Sequence, residues 1–149
     1  MGLPGRRAAV VALLGVAESS EFRERADAGR ALASFAELPA AQEGLLELVL
    51  DTADTFVTRE TAEALLRRRD GAGLAIVAKA LATADFQHMS RIHAAVLAVF
   101  GVFATDRDDA VRMCKSLILD DDEQVRGGAG ELLDMLTEIT PVLYPQQDG

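Results

Sequence analysis

The chain has 149 residues, a formal net charge of −9 and 50% hydrophobic residues, with no Trp and one Cys. A single cysteine excludes an internal disulfide and fits a reducing compartment, so a cytoplasmic location is expected. An acidic surface repels phosphate backbones, which makes nucleic acid an unlikely partner, and no stretch reaches the roughly 20 apolar residues of a membrane span.

Leu3-Pro4-Gly5 opens a first helix over residues 6–17, apolar through Val10, Val11, Leu13, Leu14 and Val16. The same stretch has the outline of a signal peptide, with Arg6-Arg7 before the apolar run and Glu18-Ser19 after it. The helical spacing of its valines and leucines favours a packed helix instead. A second helix covers residues 21–37, with Phe22, Ala28, Leu32 and Phe35 inward, and Leu38-Pro39 ends it. A third covers residues 40–50.

Asp51-Thr52-Ala53-Asp54 is a turn, and either Asp suits the cap of a fourth helix over residues 56–69. Arg67-Arg68-Arg69 then sets positive charge on the negative end of that helix dipole. Asp70-Gly71-Ala72-Gly73 breaks the chain before a fifth helix over residues 74–82. Thr83-Ala84-Asp85 repeats the earlier turn, and a sixth helix follows over residues 87–103. Thr105-Asp106 is read as the cap of a seventh helix running to Leu119. Asp120 to Glu123 opens an eighth, which ends near Ile139 before Thr140-Pro141.

Arg-x-x-Ala-x-x-Leu recurs on these helices. It stands at Arg59/Ala62/Leu65, at Arg91/Ala94/Leu97 and at Arg126/Ala129/Leu132, with a weaker copy at Arg25/Ala28/Ala31. The arginines lie 34, 32 and 35 residues apart. Asp54, Asp85 and Asp121 lead the three later copies, and Ser20 leads the first. Self-similarity at this period marks a helical repeat array. The expected organisation is one domain over residues 1–140, with approximate repeats at 1–37, 38–69, 70–104 and 105–140. Residues 141–149 read as a short polar tail that frays.

Asp54-x4-Arg59-x2-Ala62-x2-Leu65-Leu66-x3-Asp70-Gly71, followed by a short apolar helix, resembles a HEAT-like repeat. Asp121-x3-Val125-Arg126-x2-Ala129-x2-Leu132-Leu133 matches the same pattern, including its usual Val. Thr58, Glu24 and Ser90 stand where that Val is usual, and the Pro common between the paired helices is missing. The resemblance spans residues 1–140. It implies an all-α fold, an α-solenoid of about four antiparallel helix pairs wound as a right-handed superhelix. It further implies that the Arg-bearing helices line the concave side, and that Ala28, Ala62, Ala94 and Ala129 mark close helix crossings. Leu65, Leu97 and Leu132 would fill the space between layers. The arginines would pair with Asp54, Asp85, Asp121 or with turn carbonyls.

Little in the chain points to reaction chemistry. Counted as a calcium loop from Asp120, the acidic run places Val125 where a sharp turn needs Gly. A helix N-terminus accounts for those acids without a metal. Gly127-Gly128-Ala129-Gly130 lacks the strand and the Lys-Ser/Thr of a phosphate cradle, and close helix packing explains it better. His88 and His93 are five residues apart and do not share a helix face. Cys114 sits among Val111, Leu117 and Ile118, as a buried inert thiol would. Phe22 and Phe56 lie three residues before their motif Arg, and Phe86 lies five before. These aromatics either staple each helix start to the previous layer or stand exposed as interface anchors.

The reading is a non-catalytic protein–protein interaction scaffold with no cofactor and no metal. Its surface would comprise Arg23, Asp27, Arg30, Phe56, Glu60, Glu63, Phe86, Gln87, His88, Glu123 and Gln124. The net charge suits a basic partner, and an immunity-type inhibitor of a basic toxin is one version of this. Two alternatives come from the resemblance: a nucleic-acid-binding relative of HEAT-like DNA glycosylases, and a chromophore-lyase-like enzyme.

Overall fold

The computed structural model describes residues 2–145. They form eight α-helices: α1 (Leu3–Val16), α2 (Phe22–Ala33), α3 (Pro39–Val49), α4 (Thr55–Arg67), α5 (Gly71–Leu81), α6 (Phe86–Phe100), α7 (Ala104–Leu117) and α8 (Glu123–Glu138). Pro4 and Pro39 occupy first-turn positions in α1 and α3, where a missing N–H costs nothing. Four aspartates cap helices through their side chains. Asp54 accepts from the Phe56 amide at 2.8 Å, Asp70 from Gly73 at 3.0 Å, Asp85 from His88 at 2.9 Å and Asp122 from Gln124 at 2.8 Å. In the last helix the cap is therefore Asp122 rather than Asp121. The expected Thr105-Asp106 cap does not form. α7 starts at Ala104 after Phe103, and Asp106 lies in its first turn, 3.3 Å from Arg69.

α4 packs between α2 and α6, so these three form one row. α8 leaves that row. It packs chiefly on α5 and α7 and touches α6 only lightly. Gly128 explains the departure: a Cβ there would lie 1.5 Å from the Ala78 carbonyl oxygen. Only glycine lets the α8 backbone come so close to α5. A second close crossing joins α2 to α4, where a Cβ on Gly29 would lie 2.1 Å from Thr61 Oγ1.

The buried stripes correct the register of two motif copies. On α4 the buried residues are Val57, Thr58, Thr61, Ala62, Leu65 and Leu66. On α6 they are Ile92, Ala95, Val96, Val99 and Phe100, each 34 residues after its α4 counterpart from Thr58 on, while the counterpart of Val57 is the exposed Arg91. Val96, not Ala94, thus occupies the place of Ala62, and Val99, not Leu97, that of Leu65. A two-residue slip turns a helix by about 200°, which puts Leu97 on the outer face, 51% exposed. On α2 the slip is one residue, and Leu32 rather than Ala31 fills the leucine place. Ala28, Ala62, Ala129, Leu65 and Leu132 are buried as expected.

Arg68 and Arg69 tie elements together more than they cap a helix, while Arg67 pairs within α4. Arg67 pairs with Glu63 at 2.6 Å, and Arg68 pairs with Glu37 at 2.9 Å and Asp70 at 2.8 Å. Arg68 also donates to the Ala33 carbonyl at 2.9 Å, at the end of α2, where the Ala36 amide donates as well at 3.3 Å. Arg69 ends α4 in the left-handed region at φ 55°.

The start of the supposed tail is held in place. The amides of Val142 and Leu143 donate to the carbonyls of Gly101 and Val102 at 3.1 and 2.7 Å, and the Ala104 amide donates to Leu143 at 2.8 Å. Pro141 is buried, so residues 141–143, where the segment read as a fraying tail begins, are held against residues 101–104. Residues 146–149 lie outside the described part. Among the described residues no helix is long and apolar enough to cross a membrane.

Candidate functional site

The row α2–α4–α6 carries an aromatic ridge along its N-terminal ends. Phe22 is the first residue of α2, Phe56 the second of α4 and Phe86 the first of α6. The buried residues of α4 and α6 begin only at Val57 and Ile92. Phe56 and Phe86 precede them and fall off the core face. Phe22 is half-buried, Phe56 is 41% exposed and Phe86 is 84% exposed. The Phe22 and Phe56 rings meet edge to face with centroids 5.7 Å apart. The Arg23 guanidinium stands 5.6 Å from the Phe22 ring centre.

Two shallow depressions flank the exposed rings. One, of about 310 Å³, is bounded by Asp54, Phe56, Arg59 and Glu60. The other, of about 340 Å³, is bounded by Phe86, Gln87, Ser90 and Ala94. Thr55 and Arg91 line both. Beside them runs a lattice of charges in which Arg30 pairs with Asp27 and, at 2.7 Å, with Glu60. Arg59 Nε lies 3.4 Å from Glu63, which also holds Arg67.

Of the residues expected to form the surface, Arg23, Asp27, Arg30, Phe56, Glu60, Glu63, Phe86 and Gln87 lie on this row. Glu123 and Gln124 do not join them. They go with α8 to α5, where Asp122 pairs with Lys79 at 3.3 Å. His88 is also misplaced as a contact residue. Its side chain is 12% exposed, and both ring nitrogens are engaged. Nδ1 lies 2.7 Å from Asp85 Oδ1 and Nε2 lies 2.7 Å from the Asp51 carbonyl oxygen.

The expected Arg–Asp ladder takes a different form. Arg25 bonds Asp51, not Asp54, through Nε at 2.9 Å and Nη2 at 3.1 Å, and donates to the Ser19 carbonyl at 3.0 Å. Arg126 donates to the carbonyls of Asp120 and Asp121 at 2.8 and 2.9 Å. Arg91 is exposed and makes no ion pair among the described residues. Sequence reasoning thus placed Arg59 and Arg91 in the framework, whereas both border the ridge. It read Asp51 only as a possible helix cap, whereas Asp51 accepts from the amides of Ala53 and Asp54 at 3.3 and 2.9 Å as well as from Arg25. The only local signal was the Asp-x-x-Asp turn. Burial pushes the Asp51 carboxyl up, but hydrogen bonds from Arg25 and the Asp54 amide outweigh it and hold the group below its usual range.

Cys114 is buried, and desolvation pushes its thiol up to about 12. It is a core residue without nucleophilic character at neutral pH.

No family model and no curated protein matches this chain. It is similar to the crystal structure of an engineered protein, with 22% sequence identity and a TM-score of 0.39. The alignment covers 88% of this chain and 63% of that one.

Proposed function

We propose that this chain is a non-catalytic, HEAT-like protein-binding module that docks a partner on the α2–α4–α6 row. The single observation that carries this is Phe86, a large aromatic side chain 84% exposed at the end of a packed row, in a depression that shares Thr55 and Arg91 with the one lined by Phe56. Aromatic side chains ringed by polar groups are the usual anchors of protein interfaces, because they bury much area at little entropic cost. Arg23, Arg59 and Arg91 around them supply directional donors for the rim. The net charge of −9 favours a basic partner through steering rather than through contact, since the row itself pairs its acids with its arginines. A cytoplasmic location belongs to the same proposal.

The test is affinity capture from native cell extract at low and high salt, comparing wild type with Phe86→Ala and Phe56→Ala. The expected result is a protein held by wild type and lost by both variants, while the melting temperature of Phe86→Ala stays the same. A retained set that Phe86→Ala leaves unaltered would overturn the proposal.

A further inference from the structure

The three helix starts that carry the ridge are joined by one polar chain. Arg25, in the first turns of α2 beyond Phe22, grips the Asp51 carboxylate through two nitrogens. Asp51 sits on the turn that leads to Asp54, the cap of α4, and its carboxylate takes the Asp54 amide at 2.9 Å. Its backbone carbonyl faces His88 Nε2 at 2.7 Å, and His88 Nδ1 faces the Asp85 carboxylate, the cap of α6, at 2.7 Å. His88 lies two residues after Phe86.

Both ring nitrogens of His88 therefore face acceptors. A neutral imidazole has one N–H and one lone pair, so it satisfies one of these contacts and sets its lone pair against an oxygen in the other. An imidazolium donates to both. The charged groups about the ring are Asp85 on its own helix and Asp51 on the α3–α4 turn, and Asp51 is itself paired with Arg25 of α2. Burial disfavours the cation. The Asp51 carbonyl, the Asp85 carboxylate and the charges of both aspartates outweigh that, and the net direction is upward from the ordinary imidazole value.

We propose that protonation of His88 clamps the start of α6 to the α3–α4 turn, fixing Phe86 relative to Phe56, and that rising pH releases it. The clamp regulates the ridge. That consequence rests on the docking reading above, whereas the clamp itself does not. The folded protein binds the proton more tightly than the unfolded chain, so the clamp's contribution to stability is fully present below the ordinary imidazole pKa of about 6.5. It is lost as pH rises through the folded value. Each unit between the two values is about a tenfold change in the folding equilibrium.

The experiment uses the free protein without a histidine tag, so that His88 and His93 are its only histidines. Imidazole resonances are followed by NMR across pH, together with the fluorine signal of Phe86 in protein grown on fluorophenylalanine. Thermal melts are taken at the same pH values. His88 should titrate above about 6.5, the Phe86 signal should move with the same midpoint, and stability should fall over that window. His88→Gln should flatten the fall and still the Phe86 signal, while His93→Gln changes neither. Asp85→Asn keeps a capping side chain but removes the charge, and it should lower the His88 midpoint even if His88→Gln folds poorly. Titration of His88 at or below the ordinary value, or a Phe86 signal that ignores it, would overturn the proposal. An intact titration together with Phe86→Ala that still captures the same protein would sink the docking reading and leave the clamp standing.

Discussion

Three glycines in α8 offer one substitution with opposite outcomes. Gly127, Gly128 and Gly130 fall within about one turn, and glycine inside a helix costs about 1 kcal/mol relative to alanine. A Cβ on Gly127 or Gly130 meets nothing within 4 Å. Alanine at either position should therefore stabilise the fold by up to about 1 kcal/mol. At Gly128 the new Cβ would stand 1.5 Å from the Ala78 oxygen and 2.4 Å from its carbonyl carbon. Those are main-chain atoms of α5, which cannot rotate aside. Contact distances near 3.5 Å require α8 to lift by roughly 2 Å, enough to forfeit most of the dispersion across that crossing. Overpacking of this kind costs about 3 kcal/mol at the upper end of its usual range, and the propensity gain offsets about 1. Gly128→Ala should therefore lose about 2 kcal/mol and stand about 3 kcal/mol below Gly127→Ala. At roughly 2–4 °C per kcal/mol for a chain of this length, their melting temperatures should differ by about 6–12 °C. Thermal melts and urea titrations of the three variants measure it. If Gly128→Ala melts at or above Gly127→Ala, α8 does not pack on α5 in the way described.

Two further outcomes follow from burial. The Thr58 hydroxyl is buried without a hydrogen-bond partner, at the place where the resembling repeats carry Val. Thr58→Val should stabilise the protein by about 1 kcal/mol in urea titration, because it removes an unsatisfied polar group at nearly constant volume, and a loss instead would mean the hydroxyl is bonded. Leu65→Ala should cost about 2–5 kcal/mol, whereas Leu97→Ala, at a 51% exposed site, should cost less than about 1. Equal losses would refute the register assigned to α6.

The chain's local features are legible in its sequence. Eight helices, the Asp54 and Asp85 caps, and the burial of Ala62, Leu65, Ala129, Leu132 and Cys114 each follow from residues a few positions apart. Caps and the 3.6-residue period are decided within one or two turns, so a single strand of text contains them. The motif match at Arg91 misled because Arg-x-x-Ala-x-x-Leu can sit on either face of an amphipathic helix. Which face is inward depends on the neighbouring helix.

The remaining features required distant segments to meet. Gly128 has meaning only against Ala78, which lies 50 residues away in α5, and that contact carries Glu123 and Gln124 away from the ridge. Leu143 pairs with the chain at Phe103, so residues read as a loose tail become a latch. His88 looks like a surface residue in the first turn of its helix, until the carbonyl of Asp51 arrives at its second nitrogen. Sequence alone determined that this chain makes helices and roughly where each begins, because those choices rest on short-range hydrogen bonds and periodic burial. Tertiary structure decided which helices became neighbours and which polar groups faced each other, because close packing selects among surfaces that lie far apart along the chain.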